Sequence, residues 1–148
     1  MIPSLTSEGL LPPGVHFTSW EELERRFGQS TWRRRLISGL RRAAMSLAAA
    51  GCKTLYIDGS FVTDKLTPGD FDACWDEQGV DPNLLDPVLL TFDAKRAAQK
   101  AKYGGEFFPA AFQANHHAPF RLFLDFFQQD KNGRPKGIVA IDLTQHKP

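Results

Sequence analysis

Cysteine is scarce in this chain, with only Cys52 and Cys74 among 148 residues. They are not spaced as a metal motif, so two reduced, buried thiols are expected rather than a disulfide framework. Long apolar runs are missing as well. None approaches the ~20 residues needed to span a bilayer, and the Ser, Glu and Pro residues near the start do not compose a signal peptide. These absences point to a cytoplasmic chain with no membrane partner. Histidine is sparse, and His116 and His117 precede Pro119 in a polar loop with no His-Glu-x-x-His or cysteine pattern around them. They read as exposed loop residues rather than ligands. Net charge is almost absent, at +1.

What is present is ordinary in amount and uneven in distribution. An apolar content of 42% with 24% charged residues is that of a globular domain, and the length suits one domain with a real core. Residues 1–50 carry seven Arg and four Glu, residues 51–92 two Lys and eight acids, and residues 93–148 nine bases and five acids. An acidic centre flanked by basic segments suits a metal site whose surroundings attract a polyanion. It suits an ordinary neutral protein equally.

The acidic centre has a pattern. The run Tyr56-Ile57-Asp58-Gly59-Ser60 is followed, after a spacer, by Asp70-Phe71-Asp72-Ala73-Cys74-Trp75. In a strand, residues i and i+2 face the same way, so Asp70 and Asp72 would present their oxygens side by side. Adjacent carboxylates repel unless a cation lies between them. Mg2+ (or Mn2+) is the hard, oxygen-seeking ion that fits, and it normally arrives with substrate phosphates. Gly59 lets backbone approach a phosphate closely. Asp58 either helps the site or caps that turn, and the cap is the favoured reading. A plain strand pair with solvent-facing acids would explain the turn residues but not two in-line carboxylates.

Apolar strand, Gly59-Ser60, spacer and Asp70-x-Asp72 together resemble the signature of the DNA polymerase β-like nucleotidyltransferase superfamily. With residues 96–105 and 127–138 the chain also resembles small bacterial nucleotidyltransferase-like proteins, some encoded in toxin–antitoxin or defence loci. The resemblance implies a compact nucleotidyltransferase fold in which Asp70 and Asp72 bind Mg2+, with a third carboxylate on an adjoining strand. Asp125, inside the apolar run 120–127, is the best match for it. It further implies that Gly59 and Ser60 hold phosphates and that Lys65, Arg96, Lys100 and Lys136 neutralise the leaving pyrophosphate. The implied reaction moves a nucleoside monophosphate from a nucleoside triphosphate, such as ATP, to an acceptor hydroxyl. A tRNA 3′ end is the first choice of acceptor, and a protein hydroxyl (AMPylation-like transfer) the second. A cognate antitoxin is a further implied partner. The competing readings are a non-catalytic nucleotide- or partner-binding module of the same fold, and a metal-dependent nuclease.

Residues 1–17, with Pro3, Pro12, Pro13 and Gly14, read as an irregular arm, leaving 18–148 as the single domain. Ser19 and Glu22 form a capping box for a short helix ending at Gly28. Ser30 caps a long amphipathic helix reaching Gly51. Arg33, Arg34, Arg41 and Arg42 fall on its polar positions, either as a solvated face or as a phosphate-contacting ridge for RNA. Strands are expected at 54–57 and 71–75, and a helix at 94–103 that puts Arg96 and Lys100 on one face. The run 120–127 reads as a strand, and Asn132-Gly133 as a hairpin turn into a last strand at 136–143. This order suggests a mixed sheet covered by helices, α+β or α/β in class.

Overall fold

The computed structural model describes all 148 residues and has an α+β architecture built on one mixed five-stranded sheet. In chain order the elements are β1 (Gly14–Phe17), α1 (Trp20–Phe27), α2 (Thr31–Ala49), β2 (Thr54–Asp58), β3 (Phe71–Trp75), α3 (Asp93–Tyr103), β4 (Gly105–Pro109), α4 (Phe123–Phe127) and β5 (Gly137–Asp142). Short 3-10 turns follow β2 at Ser60–Val62 and precede α3 at Pro82–Leu84 and Pro87–Leu90. No helix is long and apolar enough to cross a membrane.

The sheet order is β1-β5-β2-β3-β4. β2 pairs antiparallel with both β3 and β5, while β1 runs parallel to β5 and β4 parallel to β3. Parallel neighbours need a long crossover, and the 3-10 turns and α3 supply it between β3 and β4. Alternation along the strands then sorts the side chains. Leu55, Ile57, Phe71, Ala73, Trp75, Phe107, Val139 and Ile141 face the three longer helices in a core of 27 buried residues. The opposite face holds a much smaller cluster, Cys74, Ala110, Phe127 and Ile138, flanked by Tyr56, Phe108, Phe123 and Leu124.

Local signals account for the helix starts. Ser19 accepts from the Glu22 amide at 3.2 Å and Ser30 from the Arg33 amide at 3.1 Å. The Glu22 carboxylate does not turn back on Ser19. It accepts from the Ile2 amide at 2.9 Å and the Thr18 hydroxyl at 2.7 Å, while Arg26 donates to the Ile2 and Pro3 carbonyls. The N-terminal segment is therefore packed rather than irregular as expected: Ile2 and Leu11 join the core, and Gly14–Phe17 is an edge strand. Pro12, Pro13 and Gly14 suggested a loop because parallel pairing to a strand at the far end of the chain leaves no local trace. Where α2 meets the end of α3, Gly39 allows close contact, since a β-carbon there would lie 1.8 Å from the Tyr103 carbonyl oxygen.

Two further expectations are corrected. Residues 120–127 do not form a strand: α4 occupies Phe123–Phe127. An apolar run of that length does not discriminate strand from helix. As a helical turn it sets Phe123 and Phe127 together against Phe108, with ring centroids 4.1 and 6.2 Å away. The Asn132-Gly133 turn is present, closed by the Gly133 amide on the Asp130 carbonyl at 2.9 Å. It lies between α4 and β5 and is flanked by a single antiparallel bridge, Gln129 to Pro135, rather than by two full strands.

Candidate metal and phosphate site

Asp58, Asp72 and Glu106 occupy one row across the sheet. Asp58 pairs in register with Asp72, and Asp72 with Glu106, so all three lie on the face opposite the long helices. Asp70 precedes Asp72 by two residues. One carboxylate oxygen from each of Asp70, Asp72 and Glu106 lies within 4.8 Å of the others. Such a set, all oxygen and partly buried, fits a hard divalent ion and offers nothing to a soft one.

The electrostatics explain why a cation fits. Burial is the main reason the Asp72 carboxyl is pushed up to about 7, with Asp70, Glu106 and Asp58 adding to the rise. Asp70 is raised too, by burial and by Glu106, against the opposing pull of Lys100 and Lys65. The cluster is thus short of positive charge at its centre although cations stand around it. Glu106 is held by Arg96 at 2.8 Å and Lys100 at 3.0 Å. Lys136 meets Asp58 at 2.5 Å at the other end of the row.

Asp58 is therefore not a turn cap. It is the last residue of β2, almost fully buried, and burial raises its carboxyl while Lys136 pulls it back. Gly59 then turns the chain with φ of 86°, and a β-carbon there would stand 2.8 Å from an Asp72 carboxylate oxygen. Only glycine lets the backbone pass so close to Asp72 in this conformation. Ser60 follows as the first residue of a 3-10 turn.

Asp125 does not join the cluster. It is exposed on α4, whose helical geometry removes the strand position that would have aimed it at Asp72. The third carboxylate beside the aspartates is Glu106, in the Glu-Phe-Phe-Pro run of β4. Its period-two position between buried Gly105 and Phe107 was the available signal, but its partner strand was not legible. Arg96 and Lys100 do converge, although Ala94, Lys95 and Arg96 adopt left-handed φ of 51°, 56° and 61° before the regular helix begins.

Of the α2 arginines expected on a ridge, Arg33 is unavailable to a partner, while Arg34 and Arg42 are exposed and Arg41 is half-buried. Arg33 is buried and donates to the carbonyls of Phe27, Phe61, Thr63 and Lys65. Arg34 donates to the Gly28 carbonyl, Arg41 lies over Trp20 and near Glu24, and Arg42 lies over Tyr103 and donates to the Lys102 carbonyl. The amphipathic pattern marked these positions as polar, and could not show that the loop after β2 folds back onto Arg33.

Beside the carboxylates is a cavity of about 700 Å³. Asp58, Gly59, Ser60, Asp72 and Lys136 line it from the sheet, and Arg121, Phe126 and the Asp130–Gly133 turn line it from the α4 side.

Residues 3–142 match DUF6932, a family of unknown function. The chain belongs to that family. No curated protein and no solved structure matches it. The resemblance to the DNA polymerase β-like nucleotidyltransferase superfamily and its toxin–antitoxin-associated members is thereby corrected: the match over nearly the whole DUF6932 chain is to a different family, and nothing links it to that superfamily. Gly-Ser and Asp-x-Asp are short motifs that recur by chance, and Asp125, the residue matched to the third carboxylate, lies on α4 outside the cluster.

Proposed function

We propose that this DUF6932 protein is a Mg2+-dependent nucleotidyltransferase, on grounds independent of any superfamily. The observation that carries the reading is the meeting of Asp70, Asp72 and Glu106 within 4.8 Å beside the glycine turn. Their oxygens compose a hard-cation site, and Lys65, Arg96, Lys100 and Lys136 surround it with charge suited to a triphosphate. Bound Mg2+ would relieve the carboxylate repulsion and stabilise negative charge on the phosphate under attack.

The chain's own residues divide the remaining work. The Gly59-Ser60 backbone and hydroxyl hold phosphate oxygens near Asp72. An acceptor hydroxyl oxygen bonds to the α-phosphorus, the bond from that phosphorus to the α,β-bridging oxygen breaks, and pyrophosphate leaves with the electron pair. Asp70, less deeply buried than Asp72, takes the hydroxyl proton. Arg96 and Lys100 exchange Glu106 for the departing phosphates. The acceptor is proposed only as a hydroxyl-bearing macromolecule, because buried Arg33 drops out of the four-arginine ridge and leaves exposed Arg34 and Arg42 as its main cations. The antitoxin partner rested on the superfamily resemblance and is withdrawn with it.

The test is incubation with each α-phosphate-labelled nucleoside triphosphate, Mg2+, and total cellular RNA and protein. Label should pass to one fraction with the native chain and to neither with Asp70→Ala or Glu106→Ala. Transfer that survives both substitutions would refute the mechanism. Absence of both transfer and Mg2+-dependent nucleotide binding would refute the function.

A further inference from the structure

The cavity beside the carboxylates has an unusual lining. Of its 14 wall residues only Leu10 and Phe126 are hydrophobic. Phe126 is 48% exposed, whereas its neighbour Phe127 is 4% exposed and packed under α4. An aromatic ring left open in an otherwise polar wall fits a ligand that is polar in most directions and flat and apolar in one. The volume, about 700 Å³, lies within the usual range for small-molecule and cofactor sites.

The positions of the polar groups narrow the ligand further. Asp72, Gly59, Ser60 and Lys136 lie on the sheet side, where the phosphates of the proposed reaction belong. On the opposite side Arg121 is held by Gln129 at 2.6 Å, and the Asp130 carboxylate is occupied by the Asn132 and Arg134 amides at 2.8 and 2.9 Å. The turn that carries Asn132 is thus set by its own hydrogen bonds, and it lines the same cavity as Phe126.

We infer that Phe126 is the stacking platform of a nucleobase subsite, and that the cavity takes one nucleotide with its base on Phe126 and its phosphates toward Gly59, Ser60 and Lys136. This rests on the nucleotidyl-transfer reading and adds where the base is held. Every base has an apolar face that stacks on an aromatic ring, so Phe126 supplies affinity for a nucleotide over a bare polyphosphate.

Calorimetric titration with Mg2+ and either ATP, GTP, CTP, UTP or inorganic tripolyphosphate tests this. In the native chain at least one nucleoside triphosphate should bind tenfold or more tightly than tripolyphosphate. Phe126→Ala should weaken that nucleotide by about 5- to 100-fold and leave tripolyphosphate unchanged, while Phe126→Trp should retain nucleotide affinity. Because Phe126 stands outside the buried core, the alanine variant should keep native circular dichroism. Equal affinity for nucleotide and tripolyphosphate in the native chain, or nucleotide affinity indifferent to Phe126→Ala, would overturn the subsite while sparing the phosphate site. If neither ligand binds, the nucleotidyl-transfer reading itself fails and the subsite with it.

Discussion

Replacing Asp72 with Asn should make the metal-free protein more stable at pH 8, although it removes a central residue of the proposed site. The folded chain holds the Asp72 carboxyl at about 7 against an ordinary value of 3.8. Between those values it keeps a proton that the unfolded chain has lost. Stability therefore falls as pH rises across that window and levels off above about 7. At ~1.4 kcal/mol per pH unit the full penalty would be ~4 kcal/mol. Asp72 is only half-buried, and solvent screening brings a realistic figure to ~2 kcal/mol. For a chain of this size that corresponds to a Tm higher by roughly 4–8 °C in Asp72→Asn than in the native protein.

Mg2+ should reverse the order. At a hundred times its Kd a cation adds about 2.7 kcal/mol to the native fold, and Asp72→Asn should lose most of that gain. The assay is thermal denaturation at pH 5 and pH 8, each with and without Mg2+, for both proteins. The metal-free difference should be smaller at pH 5. A lower Tm for Asp72→Asn at pH 8 without metal would refute the account of a repulsive cluster. A native Tm indifferent to Mg2+ would refute the cation site.

Three further outcomes follow from the same geometry. Lys136→Met should cost ~3–5 kcal/mol by urea denaturation, because it leaves the Asp58 carboxylate buried without its partner, and adding Asp58→Asn should recover most of the loss. Arg33→Met should cost ~3–5 kcal/mol by the same measure, since several buried carbonyls lose a charged donor at once, while Arg35→Gln on the exposed face should stay within about 0.5 kcal/mol. Asp125→Ala should leave Mg2+ affinity by calorimetry unchanged, whereas Glu106→Gln should lower it about tenfold or more; a large effect of Asp125→Ala would restore it to the site.

Much that was legible in the sequence is local. The capping serines Ser19 and Ser30 act within one turn, so their amide bonds needed no tertiary information. The shared face of Asp70 and Asp72 follows from strand periodicity, and the need for Gly59 from a turn immediately after a strand. The α+β class followed from the order of elements.

What only the tertiary structure decided is non-local pairing. Glu106 meets Asp72 because β4 runs parallel to β3 after a long crossover, and Asp58 meets Lys136 because β5 returns beside β2. Neither distance is encoded near the residues concerned. The same cause misled the reading of Arg33, polar by helical pattern yet buried under the loop after β2, and of Asp125, whose apolar surroundings fit strand and helix alike. Spacing along the chain determined which groups could share a face, and the pairing of distant strands determined which of them share a site.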